Sequence, residues 1–259
     1  MPRFAANLSF LFDDVPFLER FERAARAGFT AVEFLFPYAW PAEEIKARLD
    51  AHGLQLVLHN LPPGDWDAGD RGLACHPGRV DEFRASVAIG IRYAQALGVS
   101  QLNCLAGIAP AGLTNTLLHQ TLVDNLRYCA GEFKQAGLKL LLEPINHYDM
   151  PGYVVNRTAQ AVAILDEVGA DNAFVQYDIY HAQRMEGELA ATVQQHLARI
   201  GHMQLADNPG RHEPGTGEIN FAFLFKHLDQ IGYTGWIGCE YRPLGRTEAG
   251  LGWLQLLNR

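Results

Sequence analysis

Four apolar runs in this 259-residue chain end on, or close to, a side chain that offers oxygen. Leu140-Leu141-Leu142 runs into Glu143, and Phe174-Val175-Gln176-Tyr177 into Asp178. His202-Met203 precedes Gln204, and Trp236-Ile237-Gly238-Cys239 precedes Glu240. Three carboxylates gathered at one place repel one another and rise in pKa unless a cation lies between them. An all-oxygen set without sulfur suits a hard divalent ion, Mg²⁺ or Mn²⁺, better than a structural zinc. One such acid alone is as well explained by a salt bridge at the surface. Four residues on consecutive runs point instead to a metal site made of Glu143, Asp178, Gln204 and Glu240.

Other residues are candidates for substrate contact. His181 lies three residues after Asp178, and His59 ends another apolar run just before Asn60. Either would orient a substrate oxygen, although a lone strand histidine is more often a hydrogen-bonded core residue. His202, two before Gln204, shares its face of a strand. Residues 60–79 form a connection long enough to be a lid or binding loop. Arg71 and Arg79 are its only Lys or Arg residues. Residues 210–218 form a second such loop and carry Arg211. A guanidinium grips a carboxylate bidentately, so Arg71 and Arg211 are candidates for an acid substrate. The plainer alternative for Arg71 is neutralisation by Asp65, Asp67 or Asp70.

These residues need elements to hold them. Apolar runs recur at residues 4–8, 31–34, 55–59, 101–105, 139–142, 174–177, 202–205 and 236–239. Helical patterns lie between them. Two open at Pro16 and Pro41 and stop at Gly28 and Gly53, the expected punctuation of a helix. Others cover residues 80–97, 116–135, 158–168, 188–198, 221–231 and 247–257. Strands alternating with long helices imply parallel βαβ units. Eight units match a closed (β/α)₈ TIM barrel spanning residues 1–259 as a single domain. The rival is an open doubly wound sheet, but no glycine-rich dinucleotide loop follows the first run. In a barrel, the ends of neighbouring strands five to eight converge, and function collects there.

Composition narrows the function classes. A hydrophobic fraction of 48% supports a core, and 19% charged residues is too few for a disordered chain. The net charge of -8 argues against binding nucleic acid. The four cysteines form no Cys-x-x-Cys pair and read as free thiols of a reducing compartment. No leader segment and no membrane-length apolar run is visible, so a cytoplasmic enzyme is expected.

Several stretches then carry a resemblance. They are Asn60-Leu61-Pro62-Pro63-Gly64-Asp65-Trp66, Glu143-Pro144-Ile145-Asn146 and Gln176-Tyr177-Asp178-Ile179-Tyr180-His181. Ala206-Asp207-Asn208-Pro209, Gly215-Thr216-Gly217-Glu218-Ile219-Asn220 and Gly238-Cys239-Glu240-Tyr241 complete the set. Together they resemble hydroxypyruvate isomerase, of the xylose-isomerase-like barrels, over essentially the whole chain. The resemblance implies interconversion of hydroxypyruvate and 2-hydroxy-3-oxopropanoate (tartronate semialdehyde). It implies that Glu143 and Glu240 are the acid–base pair. It also implies that Glu143, Asp178, Gln204 and Glu240 hold the ion. Many relatives in the wider superfamily carry histidine where this chain has Gln204.

A sister group acting on 2-oxo-tetronate, one carbon longer, shares the Pro2-Arg3-Phe4-Ala5-Ala6-Asn7-Leu8 opening and an ending like residues 247–253. The three-carbon reading is preferred on Glu143-Pro144-Ile145-Asn146 and on His59-Asn60-Leu61-Pro62. Two other classes compete: a barrel endonuclease for abasic DNA, which needs more histidine ligands and a basic face, and a non-catalytic sugar-acid binding barrel. A homo-oligomer is an expectation of the family alone, since no residue pattern shows an interface.

Overall fold

The computed structural model describes residues 2–256. Eight parallel strands close into a barrel in chain order: β1 (Arg3–Asn7), β2 (Ala31–Glu33), β3 (Gln55–Asn60), β4 (Gln101–Asn103), β5 (Lys139–Leu142), β6 (Ala173–Asp178), β7 (Ile200–Leu205) and β8 (Trp236–Cys239). Closure is explicit in the register, because Ala6 pairs with Val32 of β2 on one side and with Cys239 of β8 on the other. The open-sheet alternative is thereby excluded.

The helices are α1 (Phe17–Arg26), α2 (Ala42–Ala51), α3 (Val80–Leu97), α4 (Asn115–Gln135), α5 (Thr158–Val168), α6 (Ile179–Met185), α7 (Leu189–His196), α8 (Phe221–Gln230), α9 (Thr247–Gly250) and α10 (Trp253–Leu256). Pro16 and Pro41 stand at the N-caps of α1 and α2. Thr114 and Asn220 cap α4 and α8 by accepting the N–H groups of Leu117 and Phe223. Gly98 ends α3 at φ 73°, a left-handed conformation in which a Cβ is strained.

Two departures from the sequence pattern have physical causes. The stretch expected as one helix over 247–257 is two short turns, with Leu257 outside the described residues. Gly250 and Gly252 interrupt it, and glycine disfavours a helix interior. Moreover, a Cβ at Gly250 would stand 2.7 Å from Glu213 Oε1. The second departure is α6, which starts directly after β6. Asp178 nucleates it by accepting the N–H of Tyr180 at 2.7 Å and, more weakly, that of His181 at 3.4 Å.

The barrel interior is polar toward the C-terminal ends of the strands. Asn7, Glu33, Asn103, Gln176, His202 and Gln204 are each exposed by 1% or less. Such groups are tolerated when hydrogen-bonded. Glu33 Oε1 accepts from Asn7 Nδ2 at 2.9 Å and from Gln204 Nε2 at 2.8 Å, and Oε2 lies 2.6 Å from His202 Nε2. Gly238 leaves the room for it, since a Cβ there would stand 2.0 Å from Glu33 Oε1.

Candidate active site

A cavity of about 610 Å³ lies at the C-terminal ends of the strands, where Glu143, His181, Arg211, Glu240, Arg71 and Asn60 contribute to its lining. Glu143 and Asp178 follow β5 and end β6, and Glu240 follows β8. All three are buried, at 4%, 2% and 5% exposure. Glu143 Oε2 accepts from Asn103 Nδ2 at 2.8 Å. Glu240 Oε2 accepts from Asn7 Nδ2 at 2.9 Å and Gln204 Nε2 at 2.6 Å, while its Oε1 accepts from Arg211 Nη2 at 2.7 Å. Asp178 Oδ2 is buried without a hydrogen-bond partner.

The acids are poorly solvated. Burial pushes the Glu143 carboxyl well above the usual range, and the charges of Glu240 and Asp178 push it further. Burial likewise raises Glu240 to about 8, opposed by Arg211. It raises Asp178 to about 6, again opposed by Arg211 and by the N–H groups of Tyr180 and His181. One guanidinium therefore faces three carboxylates, a deficit of positive charge that is costly in a buried site.

The consequence for stability has a definite sign. Acids whose folded pKa is raised stabilise the native state fully only below their unfolded values, and that stability is lost as pH rises through the folded ones. The ion-free protein should accordingly lose thermal stability between about pH 4.5 and pH 8. Added Mg²⁺ or Mn²⁺ should raise the melting temperature more at the upper end, where the acids are ionised. Scanning fluorimetry in chelator and in added ion checks this. A melting curve indifferent to pH would count against the crowded-acid description.

Each candidate from the sequence has a definite place. Glu143, Asp178 and His181 offer ligand atoms that all lie within 4.8 Å of one another, so together they could hold a metal ion. Glu240 and Gln204 are joined to the cluster by their mutual bond and by Arg211, whose Nη2 is also 3.9 Å from Asp178 Oδ2. Gln204 turns its amide N–H toward the acids, and its oxygen accepts from Gln176 Nε2 at 2.6 Å. Because Gln176 Oε1 has no partner, reversing both amides would keep that bond and turn the Gln204 oxygen toward the acids.

Burial, followed by the charges of Arg211 and Arg184, lowers the His181 pKa well below the ordinary value, so the ring is neutral. His59 is wholly buried and not among the cavity's lining side chains. Its Nδ1 lies 3.1 Å from Asn60 O, its Nε2 has no partner, and burial lowers its pKa to about 4.

The two candidate arginines differ. Arg211 has φ 56° and lies over the rings of Phe10 and Tyr180, with its guanidinium committed to the acids. Arg71 lies 3.9 Å over the Trp66 ring and donates only to backbone oxygens, those of Trp66 and Asp70. It pairs with no carboxylate among the described residues, because Asp70 is taken by Arg79 at 2.7 Å. The sequence pattern missed Glu33, Asn7, Asn103 and Asn146. Only Glu33 carried a usable cue, being a carboxylate inside the apolar run 31–34.

A family model described as xylose isomerase-like TIM barrel matches residues 21–257. The chain belongs to the xylose isomerase-like TIM barrel family. Within that family it is 55% identical over 254 residues to hydroxypyruvate isomerase of Escherichia coli (strain K12), with 98% of each chain covered. It is 49% identical over 255 residues to 2-oxo-tetronate isomerase of Cupriavidus necator, again with 98% of each covered. A crystal structure described as AP endonuclease, family 2, from Brucella melitensis superposes with a TM-score of 0.97 at 47% identity, covering 99% of both chains. Like the two curated relatives, this xylose isomerase-like barrel is an enzyme, an isomerase of the aldose–ketose type.

Proposed function

We propose that the enzyme interconverts hydroxypyruvate and 2-hydroxy-3-oxopropanoate, with Glu143 and Glu240 as the proton carriers. One observation carries the reading. Two carboxylates with raised proton affinity line the same cavity as a guanidinium, that of Arg71, which no acid among the described residues neutralises. The reaction moves a proton between adjacent carbons, so it needs groups that take a proton at one carbon and return one at the next. A buried glutamate whose pKa is shifted toward neutrality suits both tasks.

The donor set fits a divalent cation. Three buried acids share one guanidinium, and Asp178 Oδ2 lacks a partner. In this reading Glu143, Asp178, Gln204 and Glu240 hold Mg²⁺ or Mn²⁺, Gln204 with its amide reversed. Such an ion, when bound, supplies Lewis-acid stabilisation of negative charge on the substrate oxygens. Arg71 takes the substrate carboxylate, held ready by Trp66. Arg211 keeps the Glu240 carboxylate oriented. His181 contacts a substrate oxygen from the cavity wall. His59, buried beside Asn60, supports that wall from behind.

The cavity of about 610 Å³ also has room for a four-carbon acid, which favours 2-oxo-tetronate as the second reading. No nucleic-acid partner enters the proposal, given the net charge of -8. Among the described residues no helix is long and apolar enough to cross a membrane, and all four cysteines are free and buried. A single barrel domain working in the cytoplasm accords with both facts.

The test is turnover of hydroxypyruvate beside 2-oxo-tetronate after chelation and after reconstitution. Activity should vanish with the ion and return with Mg²⁺ or Mn²⁺. Full activity in chelator would remove the metal from the proposal. No turnover of either acid in the reconstituted protein would remove the isomerase assignment to these substrates.

A further inference from the structure

We infer that Asn146 is a positioning residue: it fixes the proton of His181 on Nε2, so that His181 presents an N–H donor, and not a lone pair, to the cavity. Asn146 is wholly buried. Its Oδ1 accepts the backbone N–H of Asp149 at 2.9 Å. That bond orients the amide, because the oxygen is committed and Nδ2 must face the other way. Nδ2 reaches Asp149 Oδ2 at 3.1 Å and lies 2.6 Å from His181 Nδ1. An amide nitrogen only donates, so Nδ1 accepts with its lone pair. A neutral imidazole with a bare Nδ1 carries its one hydrogen on Nε2.

The other side of the ring agrees. Nε2 stands 3.6 Å from Asp178 Oδ2 and 3.9 Å from Glu143 Oε1, too far for a hydrogen bond to either. The donor is therefore unspent and faces the space between the acids and the cavity. Geometry alone admits His181 to a metal-binding triad with Glu143 and Asp178. The Asn146 amide removes it, since a protonated Nε2 has no lone pair for an ion. What remains is a donor for a substrate oxygen that gains negative charge as the neighbouring carbon loses its proton. This last step rests on the proposed isomerase reading, whereas the position of the proton does not.

Nitrogen NMR of protein labelled with ¹⁵N-histidine, with His181→Gln for assignment, reads the tautomer directly. The expected result is a pyrrole-type Nε2 and a pyridine-type Nδ1, in chelator and in Mg²⁺ alike. Asn146→Asp keeps an acceptor for the Asp149 N–H but sets an acceptor against Nδ1. It should put a proton on Nδ1 and lower the melting temperature, because the new carboxylate also faces Asp149 Oδ2. Where the spectrum shows Nε2 stripped of its hydrogen, kcat should fall by on the order of 10²-fold. A pyrrole-type Nδ1 in the unaltered protein overturns the inference, and so does an Asn146→Asp spectrum in which Nδ1 stays pyridine-type. Absence of turnover in the unaltered, ion-loaded protein would instead sink the isomerase reading. The nitrogen spectrum would still decide the tautomer.

Discussion

Glu143→Gln is expected to lower kcat by about 10²–10⁴-fold, the usual contribution of a positioned acid or base. It is the cleaner of the two glutamate tests. Only Oε2 of Glu143 has a hydrogen-bonding side chain, Asn103 Nδ2 at 2.8 Å. A glutamine can keep its oxygen there and turn its amide nitrogen to the cavity. Stability should move the other way. Removing one of three crowded acids relieves the repulsion that raises Glu143, so the ion-free variant should melt no lower than the unaltered protein near pH 8. Loss of turnover with equal or greater stability separates chemistry from folding.

Glu240→Gln should lose turnover by a similar factor, but with some loss of structure. In the ion-free protein every donor around Glu240 already points at it, from Asn7, Gln204 and Arg211. An amide N–H in that position meets another N–H whichever way it turns. Exchange in D₂O assigns the two roles. The variant lacking the base that attacks C3 of hydroxypyruvate should stop washing out its protons. The other should wash them out and form no product. Near-normal turnover in either variant would remove that glutamate from the pair.

Asp207→Ala is the largest expected effect on stability, about 3–5 kcal/mol. The Asp207 side chain is buried at 1% exposure and accepts four backbone N–H groups. Oδ1 takes those of Asn208 and Ile219 at 2.9 and 3.1 Å, and Oδ2 takes those of Gly215 and Gly217, both at 2.9 Å. A carboxylate is needed because both oxygens must accept. Asp207→Asn would turn an N–H against one pair and should recover only part of the loss. Gly217 is part of the same arrangement, since a Cβ there would stand 2.0 Å from Asn208 O.

The loop so organised carries Arg211 at φ 56°, a conformation that a non-glycine residue keeps only when its surroundings hold it. Its loosening should therefore release the guanidinium from Glu240 and lower kcat as well. Urea unfolding, with hydrogen exchange over residues 207–220, measures both effects. Unaltered protection across that loop in Asp207→Ala would contradict the role assigned to Asp207.

Some of the site was visible before any folding was known. Glu143, Asp178 and Glu240 stand at the ends of apolar runs, where a lone charge is expensive, and the barrel's strand order makes those ends neighbours. Glu33 met the same test within residues 31–34 but lies on β2, far in sequence from the other acids. Asn7 reaches it from the neighbouring strand β1, but His202 and Gln204 come from β7, which only closure brings across to it. Asn7, Asn103 and Asn146 carried no cue, because an uncharged asparagine within or just after an apolar run is as common in an ordinary strand end or turn.

The sequence period by itself determined the eight alternating units and the three acids at their ends, since periodicity and the cost of burying charge are local properties of a chain. Division of labour among the polar groups was decided only by the tertiary structure. Arg71 and Arg211 are equivalent as loop cations until one is stacked on Trp66 without an acid and the other is bonded to Glu240. His181 is a metal ligand or a donor until the Asn146 amide is placed against its ring. The reason is common to both: a side chain's role depends on which atoms face it, and those atoms arrive from elements tens of residues away.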